Sequence, residues 1–215
     1  EYDPVTTIDT DDALQRFGYV KVEATSFTIS EPVESLEISP LLYSEATQPQ
    51  RQVLESNYEV RPFTIGTIKL ERIFADKILA AEFYYQRRML FDTAKHLYDL
   101  TTMMEQDRIQ TLLSAPEDLI KMLAYKRREE RERIGSDLAE KPFSDFQLFQ
   151  SVGVDAELSA AFSKMQEIYV FSQRDILSLT QLSVSMSALN QSLLKLDEGL
   201  QMTQTISEGP QQQMF

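Results

Sequence analysis

At 215 residues and 42% hydrophobic composition, the chain is long enough for one domain with a real core, or for one domain with a helical extension. The absence of cysteine excludes disulfides, thiolate metal sites and cysteine nucleophiles, and a lone histidine excludes a multi-histidine cage, so any metal would be hard and held by carboxylates. A formal charge of -13 argues against sequence-independent nucleic-acid binding by the chain as a whole, because polyanions are held chiefly through Lys and Arg.

No run of eighteen or more apolar residues is present, and the opening residues Glu1, Tyr2, Asp3 and Pro4 are polar and acidic, so neither a membrane span nor a signal peptide is expected. The expectation is a soluble cytoplasmic protein. The sequence opens on Glu1 rather than on methionine, and an upstream segment is expected. From Tyr19 to Ile29, YVKVEATSFTI puts Val20, Val22 and Ala24 on one face and Lys21, Glu23 and Thr25 on the other, the alternation of a strand. ESLEISPLL alternates at Leu36 and Ile38 until Pro40 stops it, and NYEVRPFTIGTI supplies an extended stretch around Tyr58 to Ile65. The QPQRQ stretch reads as a polar connection. Residues 1–68 are therefore a strand-rich unit with a small mixed sheet.

After Gly66 the pattern turns helical. Leu70, Ile73, Phe74, Ile78 and Ala81 predict a helix to about Arg88; Asp92 is the expected cap of a second, with Ala94, Leu97, Tyr98, Thr101 and Met104 on its apolar face. A third begins near Pro116 and runs through KRREERER until Gly135. KPFSDFQLF is expected as a loop with aromatics. From Asp155 a helix follows with Leu158, Phe162, Met165 and Tyr169 as its stripe, then another with Ile176, Leu179, Leu182, Met186, Leu189 and Leu193, fraying after Ile206. Residues 69–215 form a helical domain, and strands first with helices after make the class α+β.

The strongest constellation joins Lys77 in IKLERIFADKILA to Asp99 in AKHLYDL, 22 residues later. If the two helices turn near Arg87 or Arg88, both residues lie equidistant from the turn and face each other. Such a pair can place a cation against a triphosphate while the carboxylate orients it, or it can be an interhelical salt bridge. Arg72, one turn before Lys77, could contact a phosphate or stay solvated, and His96 carries the one side chain with an ordinary pKa near neutrality. The basic residues Lys126, Arg127, Arg128, Arg131 and Arg133 interleave with Glu129, Glu130 and Glu132, which suits solvated, salt-bridged helical turns and leaves an RNA contact open.

The segments TIKLERIFADKILA and KHLYDL resemble the third and fourth motifs of the AbiEii/AbiGii nucleotidyltransferase toxins, in which one helix carries an essential lysine and the next an essential aspartate. Lys77 and Asp99 match in type and spacing. KVEATSF and the stretch ending FTIGTI also resemble the family's middle section, so the likeness runs from about Tyr19 to Met104, with the later helices fitting loosely. The resemblance implies a polymerase-beta-like fold that transfers a nucleotide from a nucleoside triphosphate to an acceptor such as RNA, with Mg2+. It also implies a toxin–antitoxin or phage-defence setting with a cognate antitoxin. Lys77 and Asp99 would be catalytic, with Lys77, Arg72 and His96 toward the nucleotide. The family's Gly-Ser turn and Asp-x-Asp pair belong upstream of Tyr19 and are missing from this sequence. Asp9 and Asp11 in TIDTDDAL have the spacing without the turn, and Glu23 is the candidate third carboxylate, as metal ligand or base. The alternative is a non-catalytic relative serving as an interaction module, with the C-terminal helices as its contact or oligomerisation surface.

Overall fold

A computed structural model describes residues 32–134, 138 and 141–207. The strand expected over Tyr19–Ile29 lies outside these described residues. Strand β1, Val33–Ile38, pairs antiparallel with β2, Phe63–Ile68, with Leu36 opposite Ile65 and Ile38 opposite Phe63. Among the described residues this is a two-stranded sheet, where a mixed one was expected. Two helices fill the connection, α1 at Leu41–Glu45 and α2 at Gln48–Tyr58. The QPQRQ stretch, expected as a connection, is the first turn and a half of α2. Its cause is a capping box: Thr47 and Gln50 exchange side-chain and backbone bonds, and Pro49 sits where its missing N–H costs nothing. Tyr58, expected to be extended, is therefore the last residue of a helix, and Glu59 in a left-handed conformation (φ 56°) ends it.

The helical body begins with α3, Leu70–Gln86, and α4, Leu90–Met103, an antiparallel hairpin. Helix α4 starts three residues earlier than expected, with Met89 at the cap position. Asp92 lies instead in its first turn, favoured there by the helix dipole and bonded to Lys95 at 3.0 Å. An unexpected short helix, α5 at Asp107–Ser114, precedes α6 at Pro116–Ile134. The Gly135 stop lies outside the described residues. KPFSDFQLF is no plain loop. It forms a tight turn at Phe143–Asp145 and the short helix α7, Leu148–Ser151, and it buries Phe143, Phe146 and Phe149 with successive ring centroids 5.2 and 6.5 Å apart. Then come α8, Ala156–Tyr169, and α9, Leu179–Ser207. Leu182, Met186, Leu189 and Leu193 are buried as their spacing predicts, whereas Ile176 and Leu179, at the start of that stripe, stay exposed. The chain is α+β and mostly helical.

The core includes Phe74, Ile78 and Leu79 on α3, Leu97 and Leu100 on α4, Phe162 on α8 and the α9 stripe. Polar bonds set where the elements dock. Arg88 closes the α3–α4 turn with φ 55° and reaches Asp155 at 3.0 Å and Glu157. Asp155 caps α8 by accepting the amides of Glu157 and Leu158, each at 3.0 Å, and also accepts from the Tyr85 hydroxyl at 3.0 Å. The Leu158 amide above all, then Arg88 and Tyr85, hold its carboxyl below the usual aspartate range. The sheet is tied on by Arg108 of α5, which is bidentate to Glu71 (2.7 and 3.0 Å) and donates to Glu34 at 2.9 Å.

The fully buried Glu82 of α3 accepts the amides of Gln147 and Leu148 at 3.0 and 2.9 Å and the Gln86 side-chain amide at 2.8 Å. Replacing it by alanine strands the buried Leu148 N–H and the part-buried Gln147 N–H at the start of α7. Urea unfolding of Glu82→Ala should show a loss of about 2–4 kcal/mol; a loss within about 0.5 kcal/mol would mean that α7 is not held through this carboxylate.

Candidate active site

Lys77 sits beside the buried Ile78 on α3, and Asp99 beside the buried Leu100 on α4, so core packing fixes the backbone of both while leaving both heads partly open. Turning at Arg87–Met89 makes the two residues equidistant from the loop. The Lys77 ammonium donates to Asp99 Oδ2 at 2.5 Å, with side-chain exposures of 24% and 42%. A pair this accessible has an open side on which a phosphate oxygen or a hydroxyl can compete for either charge.

His96 lies one turn before Asp99. Its ring stacks on Tyr84 of α3 with centroids 5.3 Å apart and planes 18° from parallel, and its buried Nδ1 has no hydrogen-bond partner among the described residues. Burial, then the Lys77 ammonium, push its pKa below the ordinary value, against a weaker opposite pull from Asp99 and Asp92. The imidazole is therefore neutral at neutral pH and adds no second cation beside Lys77.

Arg72 is elsewhere. Five residues from Lys77, it is about 140° around the helix, buried to 1% exposure, and its Nε is 3.0 Å from Asp76 Oδ1. Lys126 of α6 approaches the same oxygen at 3.8 Å. The expectation that Arg72 contacts phosphate or stays solvated meets a partly buried ionic cluster between α3 and α6, with Arg72 its innermost member. The basic run also turns partly inward: Arg127 donates to the Lys141 carbonyl at 2.9 Å and lies over the Phe143 ring at 4.0 Å. Glu23, Asp9 and Asp11 lie outside the described residues. Among the described residues no three acidic, histidine or cysteine side chains gather as a metal site needs.

Sequence reasoning missed a cavity of about 530 Å3 that borders Asp99 between α4 and the chain after α8, with Lys95, Tyr98, Tyr169, Phe171 and Asp175 among its walls. The aromatic pair at the end of α8, Tyr169 and Phe171, is its one sequence signal, and the helical spacing of Tyr169 with Leu158, Phe162 and Met165 points to the core instead.

A family model described as the nucleotidyl transferase AbiEii toxin of type IV toxin–antitoxin systems matches residues 4–181. The match extends the likeness on both sides of the Tyr19–Met104 span, through α8 into the start of α9. No curated protein and no solved structure matches the chain.

Because the chain has one histidine, its Cε1 proton gives a single NMR titration curve. That curve should fall below about 6.5, shift upward in Lys77→Met and downward in Asp99→Asn. The depressed value also makes His96 stabilising above the unfolded-state pKa, with that contribution lost as pH falls through the folded value. The thermal midpoint should accordingly drop more between pH 7 and pH 5 in the native chain than in His96→Asn. An unshifted curve, indifferent to both charge variants, would show that the imidazole does not sit in the field of this pair.

Proposed function

The chain belongs to the AbiEii nucleotidyl transferase toxin family of type IV toxin–antitoxin systems, and on that premise we propose that Lys77 and Asp99 form the triphosphate end of its transfer site. The observation that carries the reading is the 2.5 Å contact across the α3–α4 hairpin, on an open face. In the reaction an acceptor hydroxyl attacks the α-phosphorus of a nucleoside triphosphate, the bond from that phosphorus to the bridging oxygen breaks, and pyrophosphate leaves with the electron pair. The Lys77 ammonium meets the charge that grows on the leaving phosphates. Asp99 holds the lysine in place, and neutral His96 packs beside the pair from the Tyr84 side.

Nucleotidyl transfer commonly uses a divalent cation, and Mg2+ is the one we assign. The described residues do not fit a metal centre by themselves, so no step here runs through it; Glu23, with Asp9 and Asp11, is the proposed carboxylate set, and Glu23 the proposed base for the acceptor proton. Arg72 is proposed to act on the site only indirectly, by supporting α3 from the α6 side with Asp76 and Lys126. The acceptor is proposed to be RNA, the setting the bacterial cytoplasm in phage defence, and the partner a cognate antitoxin. No described helix is long and apolar enough to cross a membrane.

A second reading, an interaction module without catalysis, draws on the apolar side chains that β1, β2, α1 and α2 leave exposed, among them Leu41, Leu42, Val53 and Phe63. The two readings part on one experiment. In the protein as its own gene encodes it, Lys77→Ala and Asp99→Asn should each cut transfer of a labelled nucleotide by about 10²–10³-fold while changing stability by at most about 1 kcal/mol. Undiminished transfer in either variant would remove the pair from the chemistry, and failure of the native protein to transfer any nucleotide would favour the interaction module.

A further inference from the structure

The cavity beside Asp99 has a composition that the Lys77–Asp99 reading does not use. Its walls are chiefly apolar and aromatic, and about 530 Å3 lies within the usual range for a small-molecule pocket. Its shape is held from two sides. Gln166, buried on α8, bonds the Leu177 backbone in both directions at 2.7 and 3.0 Å, and the Tyr98 hydroxyl donates to the Asp175 carbonyl at 2.9 Å. The segment after α8 is thereby fixed over α4. At the rim stands Phe171 with 83% of its surface exposed. Lys95 lies over the Tyr169 ring at 5.2 Å and is bonded to Asp92 at 3.0 Å, so its charge is already met.

Electrostatics then selects what enters. Asp99 and Asp175 line the cavity; Asp99 is met by Lys77 and Lys95 by Asp92, so the walls carry carboxylate acceptors and no unmatched cation for a phosphate, which favours a neutral group that donates hydrogen bonds. Aromatic walls favour a flat one. We propose that this cavity is a nucleobase pocket: the base of the donor nucleoside triphosphate stacks against Phe171 and Tyr169 and turns its exocyclic amino group toward Asp99 or Asp175, while its phosphates lie at Lys77. Asp99 joins the two halves, since the same residue borders the cavity and holds the lysine. The inference rests on the assignment of Lys77 to the triphosphate, and it adds a preference: adenine, cytosine or guanine over uracil, which has no exocyclic amine.

The test is binding of ATP, CTP, UTP and inorganic triphosphate to the protein as its own gene encodes it, by calorimetry and ligand-observed NMR. ATP and CTP should bind more tightly than UTP, and UTP more tightly than inorganic triphosphate. Phe171→Ala, a change on the surface, should weaken ATP and CTP roughly tenfold, the value of one lost stacking contact, and leave inorganic triphosphate unchanged. Lys77→Met should weaken all four. If Lys77→Met weakens binding and Phe171→Ala does not, the pocket is overturned and the lysine's role stands. A Phe171→Ala loss confined to a short RNA oligonucleotide also overturns it, by assigning the base to the acceptor. Binding that ignores Lys77→Met, or no binding by the native chain, overturns both.

Discussion

The turn between α3 and α4 sets the geometry on which the site depends. Two antiparallel helices bring a given pair of residues together only in one register, and one extra residue in the connection would rotate every later side chain by about 100°. Here the register is held by a left-handed arginine, Arg88, whose guanidinium reaches Asp155 and Glu157 at the start of α8. The same Asp155 caps α8 and accepts from Tyr85 near the end of α3. One carboxylate thus fixes a turn, a cap and a docking contact, and Lys77 meets Asp99 as a consequence.

Stability does not require that meeting. A pair exposed to 24% and 42% contributes about 0–1 kcal/mol, against a total of about 5–15 kcal/mol for a folded domain. The buried faces of α3, α4, α8 and α9 hold the hairpin together, with Glu82 and Gln166 fixing the segments beside them. A lysine and an aspartate kept half open on so well-supported a scaffold suit binding and charge stabilisation better than cohesion. The neutral, stacked His96 fits the same account, since a charged imidazole there would compete with Lys77.

Much of this was legible in the sequence, because helical periodicity reports burial directly. The α3, α4, α8 and α9 stripes each followed from apolar spacing, α6 followed from Pro116 and its alternating charges, and the meeting of Lys77 and Asp99 followed from counting residues to the turn. What escaped had a physical reason in each case. Helix α2 is polar on nearly every face, with no buried residue, so its only signals were Thr47, Pro49 and Gln50 at its start. KPFSDFQLF lacks a helical period because its aromatics are buried from irregular backbone, with Glu82 supplied from 65 residues away. Arg72 gave no sign that its partner would be Asp76, one turn along the same helix, or that Lys126 would close over both. The cavity beside Asp99 is made by chain segments far apart in sequence, which no local pattern shows.

The central claim is that Lys77 and Asp99 are placed for chemistry rather than for cohesion. Exchanging them as Lys77→Asp with Asp99→Lys, in the full natural protein, keeps an opposite-charge pair at the same place while moving the ammonium to the other helix. The account predicts a thermal midpoint within a few degrees of the native protein and nucleotide transfer no higher than in Lys77→Ala. Transfer restored to near the native rate would contradict it, because the pair would then matter only as a salt bridge.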